Sequence, residues 1–393
     1  MTSGHLSEKN GYYYAVLSYT DALGKRKSKW IATGLPVKGN KKKAEEFLSI
    51  ERTKFVPPEQ IVENADILFA DYMEQWLEII KCSISVVTYS SYSTMVKGII
   101  APYFREKGIK LKDLSAKDIQ DFYLEKLKSV KANSVIHYHA NIHKALKHAV
   151  KLDMIQINPA DKVERPKKNT FVGGFYDAEE MKSLLSASKG TKLEIPIMLA
   201  AYYGLRRSEV LGLKWDAVDF DKGTLTIKHT LTGCSVDGKY MIVKQDRTKT
   251  KSSMRTLPLV GYVRERLIEL MAEQDENRRL CGKSYIKDYD GYICVNEIGD
   301  IIKPGYVTNS FGKLLTENGL RKIRFHDLRH SCASLLLSNG IPMKQIQEWL
   351  GHSDISTTAN IYSHLDYKSK LTSANVMDNV LTLPETEAVG WRT

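Results

Sequence analysis

The chain has 393 residues, long for a single hydrophobic core, so two or three domains are expected. Its 42% hydrophobic and 26% charged residues describe an ordinary globular protein, and no apolar run approaches the roughly 18 residues of a membrane span. The formal charge of +12 favours a polyanionic partner, nucleic acid first and membrane surface second, without excluding a basic enzyme of another kind.

The first residues, MTSGHLSEKNG, lack the apolar core of a signal peptide, so a cytoplasmic location is expected. Residues 12–33 then read as strands: YYYAVLSYT alternates aromatic and β-branched types, Asp21–Gly24 turns, and KRKSKWIAT returns. Lys41–Phe55 has a helical stripe of Ala44, Phe47, Leu48 and Phe55, which predicts a small three-stranded sheet with one helix. Lys25, Arg26, Lys27, Lys29, Lys41, Lys42 and Lys43 are interleaved there with Tyr12, Tyr14, Tyr19 and Trp30. β-ribbon readers of DNA use this mixture, and so does a lysine-protected, solvated edge strand.

Lys54–Glu59, with its Pro57-Pro58 pair, is a stiff break. Residues 65–158 read as nearly all helix: ILFADYMEQWLEII, SVVTYSSYSTMVKGIIAPYF, LSAKDIQDFYLEKLK with Ser115 as N-cap and Asp118 in a capping box, and NSVIHYHANIHKALKHAVKLDMI. His137, His139, His143 and His148 of the last are read as not sharing one face, and no metal is expected there. The five cysteines (82, 234, 281, 294 and 332) form no Cys-x-x-Cys pair and read as reduced thiols.

Asn158-Pro159 ends this bundle, and a polar linker follows that carries Lys162, Arg165, Lys167 and Lys168. Such a linker suits either a DNA backbone or plain solvent. Asp177–Glu180 opens a helix with a capping-box pattern, and Glu194–Tyr203 is an apolar helix expected to be buried. Thr224–Thr230, Tyr240–Val243 and Arg255–Leu259 read as three strands, with QDRTKTKSSM as the loop before the third. Helices are predicted at about 261–280 and 304–318, with a further strand at Tyr292–Val295 between them.

The stretch RKIRFHDLRHSCASLLLSNGIPMKQIQEWLGHSDISTTANIYSHL carries the densest signal. His326 and Arg329 share a face of a helix predicted to run to Asn339, where Gly340 can take a left-handed conformation. Pro342 suits the first turn of a second helix, apolar at Ile346, Trp349 and Leu350 until Gly351. His352 follows directly, and Tyr362 comes ten residues later on a third short helix. Far upstream, Tyr203-Gly204-Leu205-Arg206-Arg207-Ser208-Glu209 adds another arginine.

At these residues the chain resembles the tyrosine recombinase (phage integrase) family. Its Gly-x-Arg-x-x-Glu setting is matched by Gly204, Arg206 and Glu209, and its His-x-x-Arg-His box by His326, Arg329 and His330. Its Leu-Gly-His, with a tyrosine nine or ten positions on, is matched by Leu350, Gly351, His352 and Tyr362. Each fragment alone is weak, whereas their order and spacing together are specific. The resemblance runs from about residue 10 to about 370.

That resemblance, closest to integrases of conjugative transposons, implies a multidomain, mainly α fold. Residues 1–60 would bind arm-type DNA sites with a three-stranded sheet plus helix, and 61–160 would form a helical core-binding domain. Residues 161–174 would be a basic linker, 175–368 a catalytic domain of mixed helix with a small antiparallel sheet, and 369–393 a tail. The tail would dock on a neighbouring protomer, with a frayed terminus as the alternative.

The chemistry implied is strand cleavage through a 3′-phosphotyrosine, integrating and excising a mobile element as a homo-tetramer on double-stranded DNA. An excisionase-like directionality factor is a candidate partner. Tyr362 is the candidate nucleophile, because a phenol stores the phosphodiester energy and leaves readily when a 5′-hydroxyl attacks back. Arg206 and Arg329 suit the clamp on the non-bridging oxygens, which makes a metal or other cofactor unnecessary. Lys249, with Lys251 as competitor, is the general acid for the leaving oxygen, His326 the proton acceptor and His352 a phosphate ligand. Glu209 orients the site, and His330 packs behind it. Two rivals remain: a type IB topoisomerase-like enzyme, and a DNA-binding protein with a decayed site.

Overall fold

The computed structural model describes residues 3–20, 26–55, 66–169, 173–246, 254–351 and 377, and the chain divides into two units, Met1–Thr170 and Phe171–Thr393. In the first unit, Asn10 and Gly11 both take positive φ (55° and 79°), the pair that a two-residue hairpin turn requires. They join β1 (Ser3–Lys9) to β2 (Tyr12–Thr20), which pairs in turn with β3 (Arg26–Pro36) in an antiparallel sheet. Ala15 and Leu17 of β2 are buried on the face that meets α1 (Lys41–Lys54) and its Ala44. Tyr14 and Trp30 lie with ring centroids 6.2 Å apart. Arg26, Lys27, Lys29, Lys41, Lys42 and Lys43 are exposed, while Lys25 lies outside the described residues.

The helical run follows as α2 (Phe69–Ile80), α3 (Val86–Met95), α4 (Ala101–Lys107), α5 (Ala116–Leu127) and α6 (Ala132–Lys151). The segment predicted as one helix over 85–104 is α3 and α4 joined by a π-helical turn at Val96–Ile100. Pro102 lacks the N–H that would close an α-turn onto residue 98, and the wider turn absorbs the gap. Phe104 ties the core, its ring 4.9 Å from Phe69 and 5.3 Å from Phe122. Ser115 and Asp118 form the expected capping box of α5.

His139 and His143 do share a face of α6, contrary to the sequence reading: a spacing of four is one helical turn, and their rings stack at 5.5 Å. His139 bonds Tyr123 Oη through Nδ1 at 2.8 Å, and His143 Nε2 lies 2.8 Å from Asp161. Among the described residues no group of three or more His, Cys, Asp or Glu could hold a metal ion. Lys167 and Lys168 are exposed beyond the bundle.

The second unit opens with α7 (Ala178–Ser188), capped by the expected box of Asp177 and Glu180. The apolar α8 (Glu194–Tyr203) is buried along its length except at Tyr202, and α9 (Arg207–Gly212) follows. Two small antiparallel sheets come next, β4 (Val218–Asp219), β5 (Thr224–Ile227) and β8 (Arg255–Pro258) in one, β6 (Thr230–Val236) and β7 (Lys239–Gln245) in the other. The single strand predicted over 224–230 is thus divided between two sheets. His229 marks the break, its Nδ1 2.8 Å from Asp246 and its Nε2 3.5 Å from Asp216.

Helices α10 (Gly261–Cys281) and α11 (Pro304–Glu317) match the expectation. Tyr292–Val295 is not a strand: it contributes isolated bridges, Tyr292 to Lys214 and Val295 to Ile301. The described fold ends with α12 (Asp327–Ser338) and α13 (Met343–Leu350). The chain is therefore multidomain and mainly α, with small antiparallel sheets. No helix among the described residues is long and apolar enough to cross a membrane.

Candidate active site

Three helix ends build the site. The first is the exit of α8, where Gly204 takes φ 61°. A Cβ on this residue would collide with the Leu350 side chain, so only glycine lets α8 and α13 approach this closely. Arg206 follows as the residue before α9. Glu209, one turn on, accepts from the Arg206 backbone N–H at 3.0 Å and from its Nη1 at 2.7 Å. Glu209 is 2% exposed; burial alone would raise its pKa, but Arg255 and Arg206 outweigh that and hold the carboxylate below its ordinary range.

The second is the start of α12. His326 precedes the helix and Arg329 lies one turn inside it, 2% exposed. A guanidinium so buried needs acceptors. Its Nη1 donates to Gly204 O and its Nη2 to Leu350 O, both at 2.7 Å. Burial, with nearby Arg206, pushes the Arg329 pKa down to about 9, which leaves it a cation at neutral pH. His326 stands beside His330, ring centroids 5.4 Å apart and planes at 89°. Surrounding protein, then His330 and Arg329, push the His326 pKa down to about 4, although the ring keeps an exposed face that water offsets in part. A neutral imidazole at pH 7 can accept a proton.

The third is the C-terminus of α13. Ile346 and Leu350 anchor this helix in the interior, and Trp349 stacks on Tyr203 at 5.9 Å. Gly351, with φ 69°, stops it. The carbonyls that a helix end leaves without partners are each taken by a different arginine. Trp349 O accepts from Arg255 Nε at 2.8 Å, Leu350 O from Arg329 Nη2 at 2.7 Å, and Gly351 O from Arg206 Nη2 at 3.4 Å. The negative end of the helix dipole thus holds three cations in one cluster.

Of the sequence-predicted site residues, Arg206, Glu209, His326, Arg329 and His330 come together in this unit. Lys249, Lys251, His352 and Tyr362 lie outside the described residues, as does the tail apart from residue 377. Sequence reasoning missed Arg255. A signal was present, for Arg255 shares the face of β8 with the buried Leu257, and a charge on the apolar face of a strand is unusual.

A scan against protein families matches the phage integrase family at residues 175–369 and the phage integrase SAM-like domain at 68–165. A tyrosine recombinase XerC-like protein of Caldanaerobacter subterraneus subsp. tengcongensis is 30% identical over 337 residues, 81% of this chain and 85% of that one. The fold is similar to that of the Tn1549 transposon integrase in complex with a circular intermediate DNA, with TM-score 0.64, 19% identity, and coverage of 79% of this chain and 99% of that one. It is also similar to a lambda integrase tetramer bound to a Holliday junction, with TM-score 0.54, 18% identity, and coverage of 89% and 95%. The chain belongs to the phage integrase family, and it is a tyrosine recombinase, an enzyme that breaks and rejoins DNA strands at specific sites.

Proposed function

We propose that the recombinase cuts DNA with Tyr362 while Arg206 and Arg329 clamp one scissile phosphate, and that it does so to integrate and excise a mobile element. The phenolic oxygen forms a bond to phosphorus as the bond from phosphorus to the 5′-oxygen breaks, leaving a 3′-phosphotyrosine. The phenol proton passes to His326, and the departing 5′-oxygen takes a proton from Lys249, with Lys251 as the competitor. His352 donates a hydrogen bond to a phosphate oxygen. A 5′-hydroxyl from the partner strand then reverses the step, releasing the Tyr362 phenol and restoring a phosphodiester, so no water is consumed.

One observation carries this reading. Arg206 and Arg329, far apart in sequence, meet on the carbonyls of Leu350 and Gly351, the residues immediately before His352. A clamp held rigid before substrate arrives avoids reorganisation as charge builds on the transition state.

Around this centre, residues 175–368 form the catalytic domain, 61–160 grip core-type sites, and 1–60 hold arm-type sites through Lys25, Arg26, Lys27, Lys29, Lys41, Lys42 and Lys43. Lys167 and Lys168 of the 161–174 linker follow the backbone. The working form is a homo-tetramer on two duplexes, with residues 369–393 docked on a neighbour and an excisionase-like factor setting direction, in the cytoplasm. The test is incubation with a nicked suicide duplex followed by denaturing electrophoresis. A protein–DNA adduct absent in Tyr362→Phe supports the reading, and an adduct that survives that change overturns it.

A further inference from the structure

We propose that Arg255, the first residue of β8, is a positioning residue for strand cleavage. It fixes Glu209, and through Glu209 the guanidinium of Arg206, against the end of α13. The proposal rests on the reading of Arg206 as a phosphate clamp.

The side chains of Arg255 and Glu209 are 7% and 2% exposed, so each charge must find its partner inside the protein. Arg255 Nη2 donates to Glu209 Oε2 at 3.2 Å, while Arg255 Nε donates to Trp349 O at 2.8 Å. Glu209 Oε2 also receives the Arg206 backbone N–H, and Oε1 receives Arg206 Nη1. One carboxylate is therefore held by donors on both oxygens, which stops it from turning. The plane of the Arg206 guanidinium is set by that orientation.

Packing alone does not account for this residue. An apolar side chain on the same strand face, like Leu257, would fill the space without the desolvation cost of a buried cation. It could not reach Glu209 and Trp349 O together. Only a fork of donors joins the carboxylate that steers Arg206 to the carbonyl three residues before His352. Arg255 also stands six and four positions after Lys249 and Lys251 in the sequence, at the start of β8.

The test uses the full chain as Arg255→Gln and Arg255→Lys, with single-turnover adduct formation measured on a nicked duplex. One substrate carries the ordinary scissile phosphate, the other a neutral methylphosphonate there. Loss of a well-aimed clamp should slow the phosphate reaction about 10²-fold in either variant while duplex affinity stays close to wild type. On the methylphosphonate, which demands less charge neutralisation, that deficit should shrink by about tenfold. A residue that only holds the fold together would lose the same factor on both substrates, and that outcome overturns the proposal. So does a wild-type rate for Arg255→Lys, which keeps the cation and loses the fork. That variant decides the matter if Arg255→Gln melts below the assay temperature. Absence of any Tyr362-dependent adduct from the unmutated protein would instead sink the underlying assignment of function.

Discussion

The guanidinium of Arg329 donates to the carbonyl of Gly204, 125 residues earlier in the chain, at 2.7 Å. The bond joins the entry of α12 to the exit of α8, so the geometry of Gly204 becomes part of how Arg329 is aimed. Gly204→Ala would force a side chain into a left-handed conformation and against Leu350. The expected cost is about 1–3 kcal/mol of stability. Thermal melting measures it, and adduct formation should fall more steeply than stability does. Unchanged melting and cleavage would contradict the role given to this glycine.

Lysine cannot replace Arg329. The native fork reaches Gly204 O and Leu350 O at once, and a single ammonium cannot span both in the same geometry. Arg329→Lys should reduce the single-turnover cleavage rate by about 10²–10³-fold. Gel-shift affinity for the duplex should change far less, because many phosphates share the binding. A parallel fall in affinity and rate would assign Arg329 to docking rather than to the transition state.

A substrate with sulfur in place of the departing 5′-oxygen identifies the general acid. A 5′-bridging sulfur leaves as a thiolate and needs no proton, so it bypasses an acid and nothing else. Lys249→Ala should cleave the ordinary duplex slowly, by about 10²–10⁴-fold, and the sulfur-bridged duplex at nearly the wild-type rate. Rescue of Lys251→Ala instead would move the assignment by two positions.

Acid should weaken the fold through His139. Burial first, then His143 and Arg165, push its pKa from 6.5 down to about 4, with Asp161 pulling the other way. Between those values the unfolded chain holds a proton that the folded chain excludes, so stability is full above about pH 6.5 and declines toward pH 4. His326 and His330 are shifted in the same direction and add to the slope. His139→Gln, which keeps a hydrogen-bonding group beside Tyr123, should give a shallower decline in melting temperature over that range. Parallel curves for variant and wild type would remove His139 from this account.

What the sequence made legible was local. Ser115 with Asp118, and Asp177 with Glu180, announce helix starts because both partners lie within one turn. Gly204, Gly340 and Gly351 announce stops for the same reason. The motif residues Arg206, His326 and Arg329 were recognised by order and spacing, and the fold brings them into one cluster.

What stayed hidden depends on distant partners. Ser3–Lys9 has few strand-favouring residues and is a strand because Tyr12–Thr20 pairs with it. The break at His229 follows from carboxylates at 216 and 246. The role of Arg255, the first residue of a predicted strand, is not legible locally, because its acceptors lie 46 and 94 positions away.

The most direct measurement is a structure of Tyr362→Phe bound to an intact duplex carrying its crossover site. The account predicts that Arg206 and Arg329 each lie within about 3 Å of a non-bridging oxygen of the same phosphate, with the residue-362 ring in line behind it. Guanidiniums bound to different phosphates, or left on the carbonyls of Leu350 and Gly351 with no phosphate in reach, would contradict it.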